Sequence, residues 1–178
     1  MPTRPSSPAL AKSVAGLLSV LAILAPRAPA VGLAGRVVDA GDGRPLAARI
    51  YLRGADGAWR FVRSSSLDGT AVRYEKQNWV NKAAVEMHVT VSAHPFVADV
   101  PPGRYELLVE RGKEYFPERR EVDVGSERVE VEVRLRRWID MAARGWYSGD
   151  THIHRTIDEL RNVAIAEDLN VTFPLTYW

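Results

Sequence analysis

Glu127 to Arg137 reads ERVEVEVRLRR. Valine or leucine stands at every second position from Val129 to Leu135, and charged side chains stand between them. A period of two makes one face apolar and the other solvated, the signature of a half-buried β-strand. The same period recurs upstream. Glu86 to Ser92 (EMHVTVS) turns Met87, Val89 and Val91 one way and Glu86, His88, Thr90 and Ser92 the other. Ala48 to Arg53 puts Ile50 and Leu52 on one face, and Gly35 to Asp39, Trp59 to Val62 and Tyr105 to Glu110 complete the set. Asp42-Gly43, Asp56-Gly57, Pro101-Pro102-Gly103 and Arg111-Gly112-Lys113 separate these runs as turns. No helical pattern interrupts them. The sequence therefore predicts a mainly β protein, with residues 31–137 forming a two-layer antiparallel β-sandwich of about seven strands. Ser64 to Ala84 is long and polar, and is expected to be an ordered excursion that buries Trp79 and Val80.

After Trp138 the pattern changes. Trp138 to Ala143 reads as a short helical linker, and Trp146 to His154 as a strand running into a loop. Thr156 and Glu159 form the T-x-x-E capping box, so a helix is expected to start there, with Ile157, Leu160, Val163 and Ala164 as its apolar stripe. It should end near Asp168, with Asn170 in the left-handed position. Val171 to Trp178 (VTFPLTYW) is extended again. The result is a β-α-β unit with parallel strands, which belongs to a larger sheet covered by helices. Residues 138–178 thus read as the incomplete first piece of a second domain. Asn170-Val171-Thr172 matches the glycosylation triplet, read as a chance match in a buried segment.

Arg4 and Lys12, the apolar run Val14 to Leu24, and Ala28-Pro29-Ala30 together read as a signal peptide over residues 1–30. The run is short for a membrane span, which needs about 20 residues. The expected location is therefore exported, periplasmic or extracellular, with no stable membrane anchor after cleavage. Of 24 basic side chains, Arg4, Lys12 and Arg27 lie in this segment, leaving 21 against 22 acidic ones. That near-neutral balance gives little reason to expect a nucleic acid or an anionic membrane as partner. The absence of cysteine excludes disulfides, thiolate metal sites and a cysteine nucleophile.

The chemistry concentrates in GWYSGDTHIHR, Gly145 to Arg155. Asp150, His152 and His154 alternate, so on an extended strand their side chains leave one face. Two imidazoles and a carboxylate suit a borderline or hard divalent cation. Elsewhere the ordinary readings prevail. Glu86 and His88 are expected at a strand surface, His94 in a turn, and Glu167 and Asp168 as solvated acids. Trp59, Trp79 and Tyr105 read as core rings in preference to a sugar-binding platform.

Two stretches resemble known families. GRVVDAGDGRPLAARIYL and VPPGRYELLVERG resemble the carboxypeptidase regulatory-like domain, a transthyretin-like (Ig-like) sandwich. WYSGDTHIHR with AEDLNV resembles the start of the CehA/McbA-like metallohydrolases of the PHP superfamily, in which a sandwich often precedes a distorted β/α barrel. The resemblance implies that His152 and His154 are the first metal-binding pair. It implies that Asp150 orients a histidine or acts as a ligand, and that Glu167 and Asp168 sit near the barrel mouth. The complete enzyme would hold zinc, manganese or iron and hydrolyse an ester, amide or phosphoester. Many PHP proteins carry T-D-H at the end of the second strand; here Leu175-Thr176-Tyr177-Trp178 stands in that place. With the later ligands missing, this chain is expected to bind metal weakly or not at all and to lack turnover. Its partner would be the remainder of a hydrolase domain or a second copy. The alternative is a stand-alone secreted sandwich that binds a glycan, a peptide or a partner domain.

Overall fold

The computed structural model describes residues 31–175. The expected signal peptide at 1–30 and the residues Thr176 to Trp178 lie outside them. The protein is mainly β, and its sheets are antiparallel apart from two parallel pairs. Ten strands precede the C-terminal unit: β1 (Val31–Asp39), β2 (Ala48–Gly54), β3 (Trp59–Arg60), β4 (Arg63–Ser64), β5 (Ala71–Gln77), β6 (Val85–Val91), β7 (Phe96–Val100), β8 (Gly103–Glu110), β9 (Glu118–Val124) and β10 (Val129–Leu135). One sheet runs β10-β1-β7-β4. The other runs β5-β6-β2-β8-β9, with β3 on β2.

Both sheets contribute to one core. Leu33, Val37, Phe96, Ala98, Val133 and Leu135 of the first cluster with Ile50, Leu52, Val89, Leu107, Val109 and Val122 of the second. The alternation seen in the sequence is the cause: in β2 and β8 the residues facing this cluster are buried and their neighbours more open. β10 is the strand that its valine repeat predicts. It pairs with β1 in parallel, Leu33 opposite Val129 and Val37 opposite Val133, so the apolar positions of both strands share a face. This parallel pair departs from the purely antiparallel arrangement expected.

The segment 64–84 also departs from expectation. It contains β5, which forms an antiparallel hairpin with β6 at the edge of the larger sheet. Trp79 and Val80 lie at its tip, 88% and 73% exposed, so neither is buried. β5 has no fully buried residue: Val72 and Tyr74 are half-buried, and Lys76, the next in their register, is exposed, so the sequence shows no sustained apolar period there.

The C-terminal unit consists of a 3-10 turn (Ala142–Arg144), β11 (Gly149–Ile153), α1 (Ile157–Ala166) and β12 (Val171–Pro174). β11 and β12 pair in parallel, as the β-α-β pattern predicts. Thr156 is the N-cap residue, but its side chain makes no capping bond; Glu159 lies beside Arg155 instead. At the other end Asp168, not Asn170, takes the left-handed conformation (φ 55°). The Leu169 N–H donates to Ala164 O and the Asp168 N–H to Ile165 O, which is the Schellman closure. Asn170 is exposed and its Oδ1 accepts the Ser148 N–H, so the Asn-Val-Thr triplet does not lie in a buried segment.

α1 lies on the face of the larger sheet opposite the core. Its buried residues are Asn162 and Ala166; Ile157 of the expected stripe is 63% exposed. Asn162 Nδ2 donates to Thr90 O (2.8 Å), which ties the helix to the backbone of β6. The helix thereby covers His88, which is buried and not at the surface as expected. The His88 ring sits between Tyr51 and Tyr74, each with its centroid 5.1 Å away, and Arg155 stacks on the far ring, 4.5 Å from the Tyr74 centroid.

The end of α1 is clamped by two arginines. Arg111, in the turn after β8, donates from Nη1 to Ala47 O (2.8 Å) and Ile165 O (2.6 Å), and from Nη2 to Asp168 Oδ1 (2.6 Å). Arg137 donates to Asp168 Oδ2 (2.7 Å) and also binds Glu114. Gly112 has φ +47°, and a Cβ there would lie 2.6 Å from Glu167 O, so only glycine allows the turn to approach the helix end this closely.

Two predictions follow from this docking. Asp168→Asn keeps a side chain that tolerates the left-handed backbone but removes the charge facing two arginines. It should destabilise the chain by about 3 kcal/mol in urea unfolding, whereas breaking the exposed Arg119–Glu106 pair should cost under about 0.5 kcal/mol. Burial, then the charges of Arg49 and Arg155, press the His88 imidazole down from 6.5 to about 4. The unfolded chain then binds more protons than the folded one between those values, so the His88 contribution to stability is complete above pH 6.5 and is lost as pH falls towards 4. Comparison of melting temperatures at neutral and mildly acidic pH should show a smaller drop in His88→Gln than in the parent chain.

Candidate metal centre

β11 carries the residues of interest, and its pairing with β12 is irregular. Gly149 pairs with Val171 and Asp150 with Thr172, and then the register shifts before Ile153 meets Pro174. Such an irregularity re-aims side chains. Ile153 turns inward and is buried, while Asp150, His152 and His154 are exposed. An Asx-type bond from the His152 N–H to Asp150 Oδ1 (2.9 Å) sets the local backbone. Ser148 ties the start of the strand to the helix exit: its Oγ donates to Asp168 O (2.9 Å), and its N–H donates to Asn170 Oδ1 (3.0 Å).

The two imidazoles converge. His152 Nε2 and His154 Nε2 are 3.0 Å apart, with ring centroids 4.9 Å apart and planes inclined by 60°. Two nitrogen ligands about 2.05 Å from a tetrahedral ion are about 3.3 Å apart. The ring nitrogens therefore already stand near the separation at which one cation could take both, and an imidazole pair suits zinc or iron. As a pair in the protein alone, one Nε2 donates a proton that the other accepts.

Asp150 engages the His152 backbone through Oδ1, so it orients the pair through the main chain. Among the described residues no group of three or more His, Cys, Asp or Glu side chains is placed to hold a metal ion. The three expected side chains thus divide into two converging imidazoles and a carboxylate that supports the loop.

Glu167 and Asp168 are not solvated acids. Asp168 is occupied on both oxygens by Arg111 and Arg137, and Glu167 Oε1 lies 2.9 Å from Arg49 Nε. Burial raises the Glu167 carboxyl above its usual range, and the Arg49 charge offsets this only in part. Both acids bind the C-terminal unit to the sheet. Arg111 and Arg137, which make this attachment, went unread in the sequence because isolated arginines beside a turn and at a strand end carry no periodicity.

The remaining candidates resolve as structural groups. Tyr105 is buried and donates from its hydroxyl to Pro101 O (2.7 Å). Trp59 is half-buried with Arg53 over its ring, and Trp79 is exposed, so the three rings do not share one environment. His94 Nδ1 pairs with Ser92 Oγ at 2.9 Å in the turn after β6. No helix among the described residues is long and apolar enough to cross a membrane. No family model and no curated protein matches the chain.

Zinc titration of the purified chain by calorimetry, with imidazole resonances followed by NMR, measures what this pair can do. Weak binding is expected, abolished by His152→Ala or His154→Ala. Asp150→Ala, which frees the supporting loop, should weaken it about tenfold.

Proposed function

We propose that this chain is the N-terminal portion of an exported, metal-dependent hydrolase of the ester, amide or phosphoester class. In this reading residues 31–137 form a transthyretin-like β-sandwich of the carboxypeptidase regulatory-like kind. Residues 138–178 form the opening β-α-β unit of a PHP-type domain of the CehA/McbA kind. The observation that carries the proposal is the approach of His152 Nε2 and His154 Nε2 to 3.0 Å at the end of the first strand of a parallel pair.

Three features support it. Parallel two-stranded pairs rarely stand alone, because crossover units build sheets that helices cover. Here Val171 and Phe173 of β12 and the preceding Trp146 and Tyr147 are exposed, which suits a unit that packs against further structure. Metal ligands at strand ends are positioned by the sheet beneath them, and β11 is held at both ends, by Ser148 and by the inward Ile153. A divalent ion held by His152, His154 and ligands from further strands would supply Lewis acidity and an activated water. Within this chain, the residues' own tasks are narrower. His152 and His154 present nitrogen lone pairs, Asp150 fixes the loop that carries them, and Asp168 fixes the unit on the sheet.

A sandwich acting alone as a glycan- or peptide-binding module has less support, since that reading leaves the C-terminal segment without a task. Arg111 and Arg137 instead spend buried hydrogen-bonding capacity on holding it.

The test is an assay of the purified chain on p-nitrophenyl esters and phosphates with added zinc or manganese, alongside metal-dependent NMR shifts. Shifts confined to residues near 149–154, with no turnover above the metal-only control, are expected. Absence of any metal-dependent shift at His152 and His154 would refute the hydrolase reading. Turnover lost in His152→Ala would keep the class but show that the chain is competent by itself.

A further inference from the structure

The tip of the β5–β6 hairpin presents Trp79 and Val80 to solvent at 88% and 73% exposure. Large apolar side chains side by side at an apex are costly to leave in water. The loop that holds them there is built by its own hydrogen bonds. Asn78 Oδ1 accepts the N–H groups of Val80 (2.8 Å) and Asn81 (2.9 Å), and Asn81 Oδ1 accepts that of Ala83 (3.1 Å). Gln77 Nε2 donates to Lys82 O (2.7 Å), and the Asn78 N–H closes the hairpin onto Ala84 O (2.9 Å). The apolar pair is thus displayed by a preorganised turn.

Its surroundings are cationic. From Lys76 to Val85 the chain carries Lys76 and Lys82 and no acid. The bordering acids lie outside the tip: Glu75 is 2.8 Å from Arg73, and Glu86 is 3.8 Å from Arg49, which it shares with Glu110 and Glu167. An amphipathic tryptophan flanked by lysines is the chemistry of a bilayer interface, where the ring sits at headgroup level and lysines meet anionic lipid.

We propose that this tip docks on an anionic lipid surface, with Trp79 and Val80 entering the interface and Lys76 and Lys82 contacting headgroup phosphates. Size favours lipid over a protein partner. A specific protein interface needs about 800 Å² on each side, and an apex of two apolar side chains offers far less. A bilayer closes around a protrusion and needs no matching groove. The attachment is peripheral and reversible, since one such tip buries little apolar surface.

The experiment is co-sedimentation of the purified chain with vesicles of phosphatidylcholine alone and of an equimolar phosphatidylcholine–phosphatidylglycerol mixture. Binding to the mixed vesicles is expected, weakened by added salt. Trp79→Ser should abolish it, and Lys76→Gln or Lys82→Gln should each weaken it about fivefold. Because the three side chains are exposed, an unchanged melting temperature will show that the variants fold. Failure to bind, equal binding to both vesicle types, or binding that survives Trp79→Ser would overturn the proposal. Trp79-dependent self-association without vesicle binding would also overturn it, assigning the tip to a protein contact.

Discussion

The arrangement of this protein turns on one carboxylate. Asp168 stands at the left-handed residue that ends α1, and each of its oxygens accepts a hydrogen bond from a different arginine. Arg111 comes from the turn between β8 and β9 and also caps Ile165 O, a carbonyl at the helix end where the dipole is negative. Arg137 comes from the end of β10 and lies over the Tyr115 ring, whose hydroxyl donates to Asp39 Oδ2 (2.7 Å). Burial works to raise the Asp39 carboxyl, and the bonds from Tyr115 and Gly41 more than offset it, leaving it below its usual range. Two charge-assisted hydrogen bonds joined by a cation–π contact therefore run from the first strand, through Tyr115 and Arg137, to the helix end. Buried charges of this kind add little net stability against an apolar replacement, but removal of one partner leaves the others stranded. Their effect is geometric: two planar guanidinium groups meeting one carboxylate leave a single orientation for α1, and hence for the strands on either side of it.

That constraint explains why the outward face of the larger sheet is not the solvated surface that its sequence suggests. Alternation along β6 separates two faces correctly, with Val89 and Val91 in the core and His88 and Thr90 opposite. Alternation says nothing about what a later segment lays over the second face. Once α1 covers it, the polar residues there need internal partners. Thr90 O finds Asn162, Arg49 lies against Glu110 and Glu167, and His88 is left neutral between two tyrosines. The polar character of that face is what permits a small helix with few buried apolar residues to dock at all.

The same distinction governs what was legible beforehand. β10, β2 and β8 declared themselves because one face of each meets a dry core, which forces a strict period of two. β5 did not, since it is an edge strand whose pattern is set by cross-strand neighbours and solvent. β9 hid behind its charges: of ERREVDV only Val122 and Val124 are buried. The helix was found at its correct start by a capping signal whose side-chain bond does not form, because the apolar spacing after Thr156 carried the same information. Its end was misplaced by two residues, because the left-handed residue was chosen by type. The arginines that bind Asp168 decide the matter, and they come from 31 and 57 positions away.

At the candidate metal centre, alternation alone would have aligned Asp150, His152 and His154 as equals. The register shift in β11 breaks that equality. It lets Asp150 bond to the backbone of His152 while the two rings turn towards each other. A lone H-x-H on a regular strand has its side chains parallel, some 7 Å apart at the backbone, and convergence of the ring tips is left to rotamer choice. Here the irregular backbone accomplishes part of it, which lowers the ordering cost of bringing two nitrogens to one ion. One ring must carry its proton on Nδ1 instead of Nε2 before both Nε2 atoms can face an ion, so a change of tautomer in one imidazole is part of binding.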